Sequence, residues 1–247
     1  MLREERQGYI LNQIQLHSRV RTTDVCSALQ VSLDTVRRDL TELEKEGKLR
    51  KVHGGAVSTL FHYPFQQTEI YARDKKQTIA RKALRLIRDD MVLLLGGGTV
   101  MLELARMIPE DLKGTIFTVS PLVALEIAQR SAVEVLLLAG KVARNSYICT
   151  GSSVIRQLSE IQADLCFLGT NGLTVREGLT DHDWEVVQIK KSMLQSARKT
   201  AVLSISEKIG SVQNLQVCNL MSVDYLVTEL PDTDELLKPF GSLCGIV

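Results

Sequence analysis

The chain has 247 residues, 45% of them hydrophobic and 24% charged, with 30 lysines and arginines against 29 aspartates and glutamates for a net charge of +1. That balance is ordinary for a globular protein and excludes a largely disordered one; it provides no overall attraction to a polyanion, so nucleic-acid contact depends on where the basic residues cluster. The five cysteines, Cys26, Cys149, Cys166, Cys218 and Cys244, form no CxxC pair, which argues against a disulfide framework or a zinc ribbon and for reduced, packed thiols.

Charges at Arg3, Glu4, Glu5 and Arg6, with no apolar core behind them, do not make a secretory leader. No apolar run approaches the roughly 20 residues of a bilayer span, so a cytoplasmic protein with no membrane partner is expected. Leu2, Ile10, Leu11, Ile14 and Leu16 recur at approximately helical spacing and predict a first helix from about Leu2 to Leu16. Thr22 and Thr23 are N-cap candidates for a short second helix that carries Val25, Ala28 and Leu29 inward, and a tight turn follows at Gln30 and Val31. Ser32 caps a third helix in which Val36, Leu40 and Leu43 form one buried stripe, with Arg37, Arg38 and Lys45 on the opposite face. Gly47 ends it, and Lys48 to His53 lead into Gly54 and Gly55 as a basic hairpin or wing. From Ser58 to Gln67, Pro64 and the rings of Phe61, Tyr63 and Phe65 suit a linker that docks by plain hydrophobic packing.

From about Lys75 the pattern alternates. A helix through Ile79, Ala83 and Ile87 precedes an apolar strand, Met91 to Leu95, then Gly96, Gly97, Gly98 and another helix. Strands follow at Thr115 to Val119, Val133 to Ala139, Leu165 to Leu168, Thr200 to Ile205 and Tyr225 to Val227, separated by helices at Leu122 to Arg130, Ser153 to Ile161 and Trp184 to Ala197. Continuously apolar strands between helices predict an α/β fold whose mostly parallel sheet is buried on both faces. The expected division is a winged helix-turn-helix over 1–57, a linker over 58–74 and a larger α/β domain over 75–247.

Residues 1–57 can be read as a small helical bundle for protein contacts. Against that stands a conjunction of short helix, tight turn, capped helix, paired arginines and basic glycine hairpin. Phosphate contacts need Lys or Arg to displace counterions, and base readout needs side chains near the start of a recognition helix. Ser32, Thr35, Arg37 and Arg38 on the helix and Lys48, Arg50, Lys51 and His53 on the wing are therefore the DNA-binding candidates. Asp34 and Asp39 are placed to neutralise the arginines in local ion pairs instead. One short helix discriminates poorly, so a homo-oligomer, dimer or tetramer, reading repeated half-sites of a double-stranded operator is expected.

The segment VSLDTVRRDLTELEKEGKLRKVHGGAV, from Val31 to Val57, resembles the signature of the DeoR family of transcription regulators. Family-like segments continue downstream: GGGT at Gly96 to Thr99, AGKV at Ala139 to Val142, DLCFLGTNGL at Asp164 to Leu173 and EGLT at Glu177 to Thr180. The resemblance implies a second domain similar to sugar-phosphate isomerases of the ribose-5-phosphate type. It implies a sensor of phosphorylated sugars without catalysis, and repression relieved by the effector. Some positions depart from the family pattern. Leu95 stands where an acid is usual, Gly98 where a threonine is, Val119 where an asparagine is, Ala139 where a glycine is, and Ile205 where an acid is, removing partners that a polyol would use.

Gly96, Gly97, Gly98 and Thr99 lie where a strand passes into a helix, so their N–H groups and the helix N-terminus suit an anion, although neither the GK[ST] ending of a P-loop nor GxGxxG is present. Ser120, Gly140 with Lys141, Gly169 to Gly172, and Lys208 also fall just past strands, where ligands of open α/β sheets gather. Glu185 completes the effector-binding group. An enzyme would need a positioned acid or base, and the cluster Asp181, His182, Asp183 and Glu185 reads better as a cap and solvated loop. Cys149 and His182 are not placed together as a nucleophile pair. No catalytic residue, metal site or cofactor is expected. A domain that only dimerises the DNA-binding heads is the third reading.

Overall fold

The computed structural model describes residues 2–17, 19–58, 72–144 and 146–247, in two compact units, Met1–Tyr71 and Ala72–Val247. The first unit runs α1 (Arg3–His17), β1 (Arg19–Arg21), α2 (Thr22–Leu29), α3 (Leu33–Lys45), β2 (Leu49–Val52) and β3 (Gly55–Ser58). Its core gathers Ile10 and Ile14 of α1, Val25 of α2, the stripe Val36, Leu40 and Leu43 of α3, and Leu49 of β2, each at most 2% exposed. Helix α2 stops at Gln30, which turns left-handed at φ 52, and Ser32 starts α3 by accepting the Thr35 N–H at 3.3 Å. Gly47, at φ +72, lets Lys48 N–H return to the Leu43 carbonyl at 2.9 Å, closing the end of α3.

Thr22 and Thr23 do not cap α2. The cap position is Arg21, without a side-chain bond, and Thr22 is buried in the first turn. The reason lies outside the local sequence. Residues 19–21 form a strand against β3, and the Gly54 carbonyl accepts the Thr22 N–H at 2.9 Å, so Arg21 is the last extended residue and Thr22 already lies inside the helix. The three strands lie in the order β1-β3-β2, and His53 and Gly54 make a two-residue turn between β2 and β3. Strand β3 reaches Ser58, while Phe61, Tyr63 and Phe65 of the expected linker lie outside the described residues.

The second unit begins with α4 (Arg73–Leu84), followed by β4 (Met91–Leu95), α5 (Thr99–Met107), β5 (Gly114–Thr118), α6 (Pro121–Ala128) and β6 (Glu134–Leu137). A short hairpin of β7 (Lys141–Val142) and β8 (Cys149–Thr150) precedes α7 (Ser152–Ser159) and β9 (Ala163–Gly169). Then come β10 (Gly172–Thr174), β11 (Gly178–Asp181), α8 (Trp184–Gln195), β12 (Ala197–Leu203), β13 (Leu215–Cys218), β14 (Tyr225–Val227) and β15 (Gly245–Ile246).

Seven strands, in the order β15-β14-β12-β9-β4-β5-β6, pair parallel throughout. Leu94, Cys166, Leu168 and Val202 pack on one face against Val154 and Leu158 of α7 and Val187, Ile189 and Met193 of α8. Side chains alternate along a strand, so Leu93, Leu95, Phe167, Ala201 and Leu203 point to the other face, and all are at most 1% exposed. Both faces are therefore covered, as the unbroken apolar strands require. The sequence did not signal the antiparallel sheet β10-β11-β13, the β7–β8 hairpin or β15.

Candidate nucleic-acid interface and sensor pocket

On α3 the buried stripe turns the opposite face to solvent. Ser32 and Thr35 stand at its start with their hydroxyls 2.9 Å apart, so both are partly committed to the cap. Arg37 lies 3.7 Å from Asp34, with its side chain 63% exposed, and such a pair restrains the guanidinium only weakly. Arg38 is exposed and takes part in no ion pair among the described residues. Asp39 does not face either arginine. It is buried under α1, where Arg6 donates to both carboxylate oxygens at 2.8 and 3.0 Å. Of the two acids considered as local partners, one meets Arg37 loosely and the other pins α1 to α3.

The wing is fastened to that helix. Lys51 N–H donates to Glu44 Oε1 and Lys51 Nζ to Thr41 Oγ1, both at 2.7 Å, so β2 and α3 present one surface while the ammonium meets a neutral partner. Lys48 pairs with Glu46 at 2.7 Å, which holds the Glu46 carboxyl below the usual range. Arg50 on β2 and His53 at the turn are exposed. Arg19 and Arg21, absent from the sequence candidates, lie on β1 at the other edge of the same sheet.

In the second unit the glycine loop joins β4 to α5. Gly96 N–H donates to the Phe167 carbonyl at 3.0 Å, and Gly98 caps α5 at φ 104 with no side-chain bond, ahead of Thr99. A Cβ on Gly98 would meet nothing within 4 Å, so the space before these amides is open; one on Gly97 would come within 2.3 Å of Ile148 Cγ2. Ser120 is buried and caps α6, accepting the Val123 N–H at 3.4 Å. Gly140 permits a close backbone approach, since a Cβ there would lie 2.6 Å from the Thr150 carbonyl oxygen. Lys141 and Glu185 pair with each other at 3.1 Å, and Thr150 Oγ1 donates to the same carboxylate at 3.2 Å. The hydrogen bonds from Lys141 and Thr150 hold Glu185 below the usual range.

Lys208 sits on a single helical turn, Ser206–Lys208, just beyond β12. Its ammonium donates to the Thr170 carbonyl at 2.8 Å and Asn171 Oδ1 at 3.2 Å, and no carboxylate among the described residues pairs with it. Some of its surface stays accessible, but the charge is densely enclosed, and burial, with Lys76 and Lys190 adding repulsion, pushes it down to about 7. Asn171 Nδ2 in turn donates to Asp181 at 3.0 Å, and Lys190 bridges Asp181 and the Gly169 carbonyl at 2.7 and 2.8 Å. Burial alone would raise Asp181, yet Lys190 and the hydrogen bonds outweigh it and keep the carboxyl far below its usual range. Lys76 of α4 is 9% exposed and held down to about 8, first by burial. A Cβ on Gly169 would lie 3.6 Å from the Gly97 carbonyl oxygen, so the glycine loop and this lysine network share the carboxyl end of the sheet.

Lys76 and Lys190 were missed from sequence. The signal was present, because Lys76 falls in register with the buried Ile79, Ala80 and Ala83, and Lys190 with Val186, Val187 and Met193. A lysine on an apolar stripe is a buried charge in need of a reason. Asp183 does cap α8, accepting the N–H groups of Glu185 and Val186. Among the described residues there is no group of three or more His, Cys, Asp or Glu side chains placed to hold a metal, and no helix is long and apolar enough to cross a membrane.

A winged helix-turn-helix with an exposed basic face, followed by a parallel α/β domain with enclosed lysines at the carboxyl end of its sheet, is the arrangement of a transcription regulator with a sensor domain. The DeoR-like helix-turn-helix model matches residues 6–60 and the DeoR C terminal sensor domain model residues 72–230. The chain belongs to the DeoR family. The HTH-type transcriptional repressor GlcR of Bacillus subtilis is 31% identical over 93% of this chain and 89% of its own. The lactose phosphotransferase system repressor of Streptococcus mutans is 31% identical over 96% of each chain. A solved ribose 5-phosphate isomerase A from Methanocaldococcus jannaschii is 21% identical, with a TM-score of 0.40 over 55% of this chain and 54% of its own.

Proposed function

We propose that this regulator is a repressor that binds its operator as a homo-oligomer and lets go when a phosphorylated sugar, or a similar small anionic metabolite, fills the pocket. Residues 1–58 carry the DNA contacts through Ser32, Thr35, Arg37, Arg38, Lys48, Arg50, Lys51 and His53, residues 59–71 link, and residues 72–247, whose first helix starts at Arg73 rather than at the expected Lys75, sense and assemble. Work on operator DNA sets it in the cytoplasm. The observation that carries the pocket is the enclosed Lys208, which has Lys76 and Lys190 near it and whose two nearby acids are already paired, Asp181 with Lys190 and Glu207 with Lys75, at the sheet end where Gly98 faces open space. An enclosed ammonium held by neutral oxygens, as Lys208 is, is stabilised by an anion that supplies the counter-charge, and amides at a helix start favour the same charge.

Gly96 to Thr99 and Lys208 are assigned to the anionic group, and Ser120, Gly140, Lys141 and Glu185 to the wall and rim. The relatives named as repressors, one of them of a lactose phosphotransferase system, support a sugar-derived ligand and the negative sign of regulation. Leu95, Val119 and Ile205 are buried at strand ends and have no hydroxyl or carboxylate to offer, which favours a ligand with few hydroxyls near those positions. Calorimetry of the full chain against hexose phosphates, triose phosphates and inorganic phosphate tests the reading. Binding that weakens operator affinity is the expected result; absence of binding by every phosphate compound overturns it and leaves the α/β domain as a dimeriser.

A further inference from the structure

The first turn of α4 holds two elements of the pocket at once. Arg73 Nε lies 3.6 Å from Glu103 Oε1, and Gln77 Nε2 donates to Glu103 Oε2 at 3.2 Å. Glu103 is 1% exposed and belongs to α5, the helix that begins at the glycine loop. On the other side, Lys75 Nζ lies 2.5 Å from Glu207 Oε1 and 3.4 Å from Glu229 Oε1. Glu207 is on the same single turn as Lys208, and Ser206 of that turn is tied to Glu229 through both its N–H and its hydroxyl. Further along α4, Ile79, Ala80 and Ala83 form a fully buried apolar stripe, and cores of that kind do not deform continuously. The helix start is different. It rests on charges with a choice of partners, and it is entered from Ala72, a non-glycine residue held left-handed at φ 50.

We infer that the first turn of α4 is the relay between pocket and operator, working by redistribution of Lys75 between Glu207 and Glu229. The inference rests on the proposed sensor pocket for its trigger. An anion seated against Lys208 draws the Ser206–Lys208 turn toward the pocket, loosens Glu207 from Lys75, and leaves Lys75 to Glu229. The start of α4 shifts with it, and α4 is the element to which residues 59–71 join β3 of the DNA-binding unit. A ligand changes an equilibrium only through contacts that differ between two states, and two carboxylates competing for one ammonium provide such a difference.

Glu207→Gln in the full chain tests the relay, with operator DNA selected from a random pool and hexose phosphates and inorganic phosphate as probes. Partly exposed ion pairs contribute little to folding, so the variant should remain folded and keep effector-free operator affinity. Its affinity for a phosphate ester should stay within about threefold of wild type, while an ester response of about tenfold or more in operator affinity falls to about twofold or less. Coupling is reciprocal, so operator binding alone must change amide exchange over residues 73–84 in wild type, and that change must disappear in Glu207→Gln. A full ester response in Glu207→Gln, or unchanged exchange in α4 when wild type binds operator, overturns the relay. If wild type binds no phosphate compound, the sensor reading fails, while the exchange measurement still decides the relay. Lys75→Gln provides the same measurement should Glu207→Gln not fold, and it is expected to behave alike.

Discussion

The basic residues of the two units work under opposite conditions. Arg37 on α3 is 63% exposed, whereas Lys190 in the pocket is 13% exposed and locked to Asp181. Exposed cations act on a polyanion by displacing counterions; they are individually weak, sensitive to salt and tolerant of approximate geometry. Enclosed cations have already lost hydration, so they discriminate strongly between an anion that fits and water. Under the proposed function the same residue types provide reach in one unit and selectivity in the other. Four substitution or titration experiments test that contrast.

The largest effect should come from the double variant Arg37→Ala, Arg38→Ala. Each arginine should cost operator affinity roughly 10- to 100-fold if it reads a base edge, without loss of fold, because neither supports the core. Wild-type affinity in a mobility-shift titration would remove α3 as the recognition helix. Next in size, Lys208→Ala should lower phosphate-ester affinity by about 1.5 to 3 kcal/mol while effector-free operator binding stays nearly intact. Equal ester affinity by calorimetry would place the anion elsewhere.

The third test is pH. The Lys208 ammonium, facing Lys76 and Lys190 on the repulsive side and Asp181 and Glu207 on the attractive side, is held down to about 7 from an ordinary 10.5. Between those values the unfolded chain carries the proton and the folded chain does not, so ligand-free stability rises with pH across the window. Ester affinity runs the other way, because the anion needs the charged form. It should fall up to about tenfold per pH unit above 7, and Lys208→Arg should flatten the profile. An equally steep profile in the arginine variant would contradict the role of Lys208. The smallest effect is Lys51→Ala, expected to weaken all DNA sequences alike and to reduce the salt slope by about one; a change in sequence preference would instead make Lys51 a base reader.

Features carried by consecutive residues are legible in the sequence by itself. The α3 cap at Ser32 with its stripe of Val36, Leu40 and Leu43, and the passage from Met91–Leu95 into three glycines, need only local chemistry. What is not legible depends on distant partners. Thr22 loses its expected capping role to a backbone bond with Gly54, and Asp39 is taken by Arg6, 33 positions away. Strands of three or four residues such as β10, β11 and β13 carry too little pattern to be recognised one by one. The pocket is half legible for the same reason: the glycine loop stands out in the chain, whereas Lys76 and Lys190 acquire meaning only where α4 and α8 converge on Lys208.

Gly55 bears on how the wing meets DNA. A Cβ at this residue would stand 2.0 Å from the Val20 carbonyl oxygen, so the bare glycine is what allows β3 to lie against β1. The wing is consequently the outer part of a three-stranded sheet rather than a free hairpin. Its conformational freedom is given up when the protein folds, not when it docks, and association should lack the large negative heat-capacity change that marks a segment folding on its target.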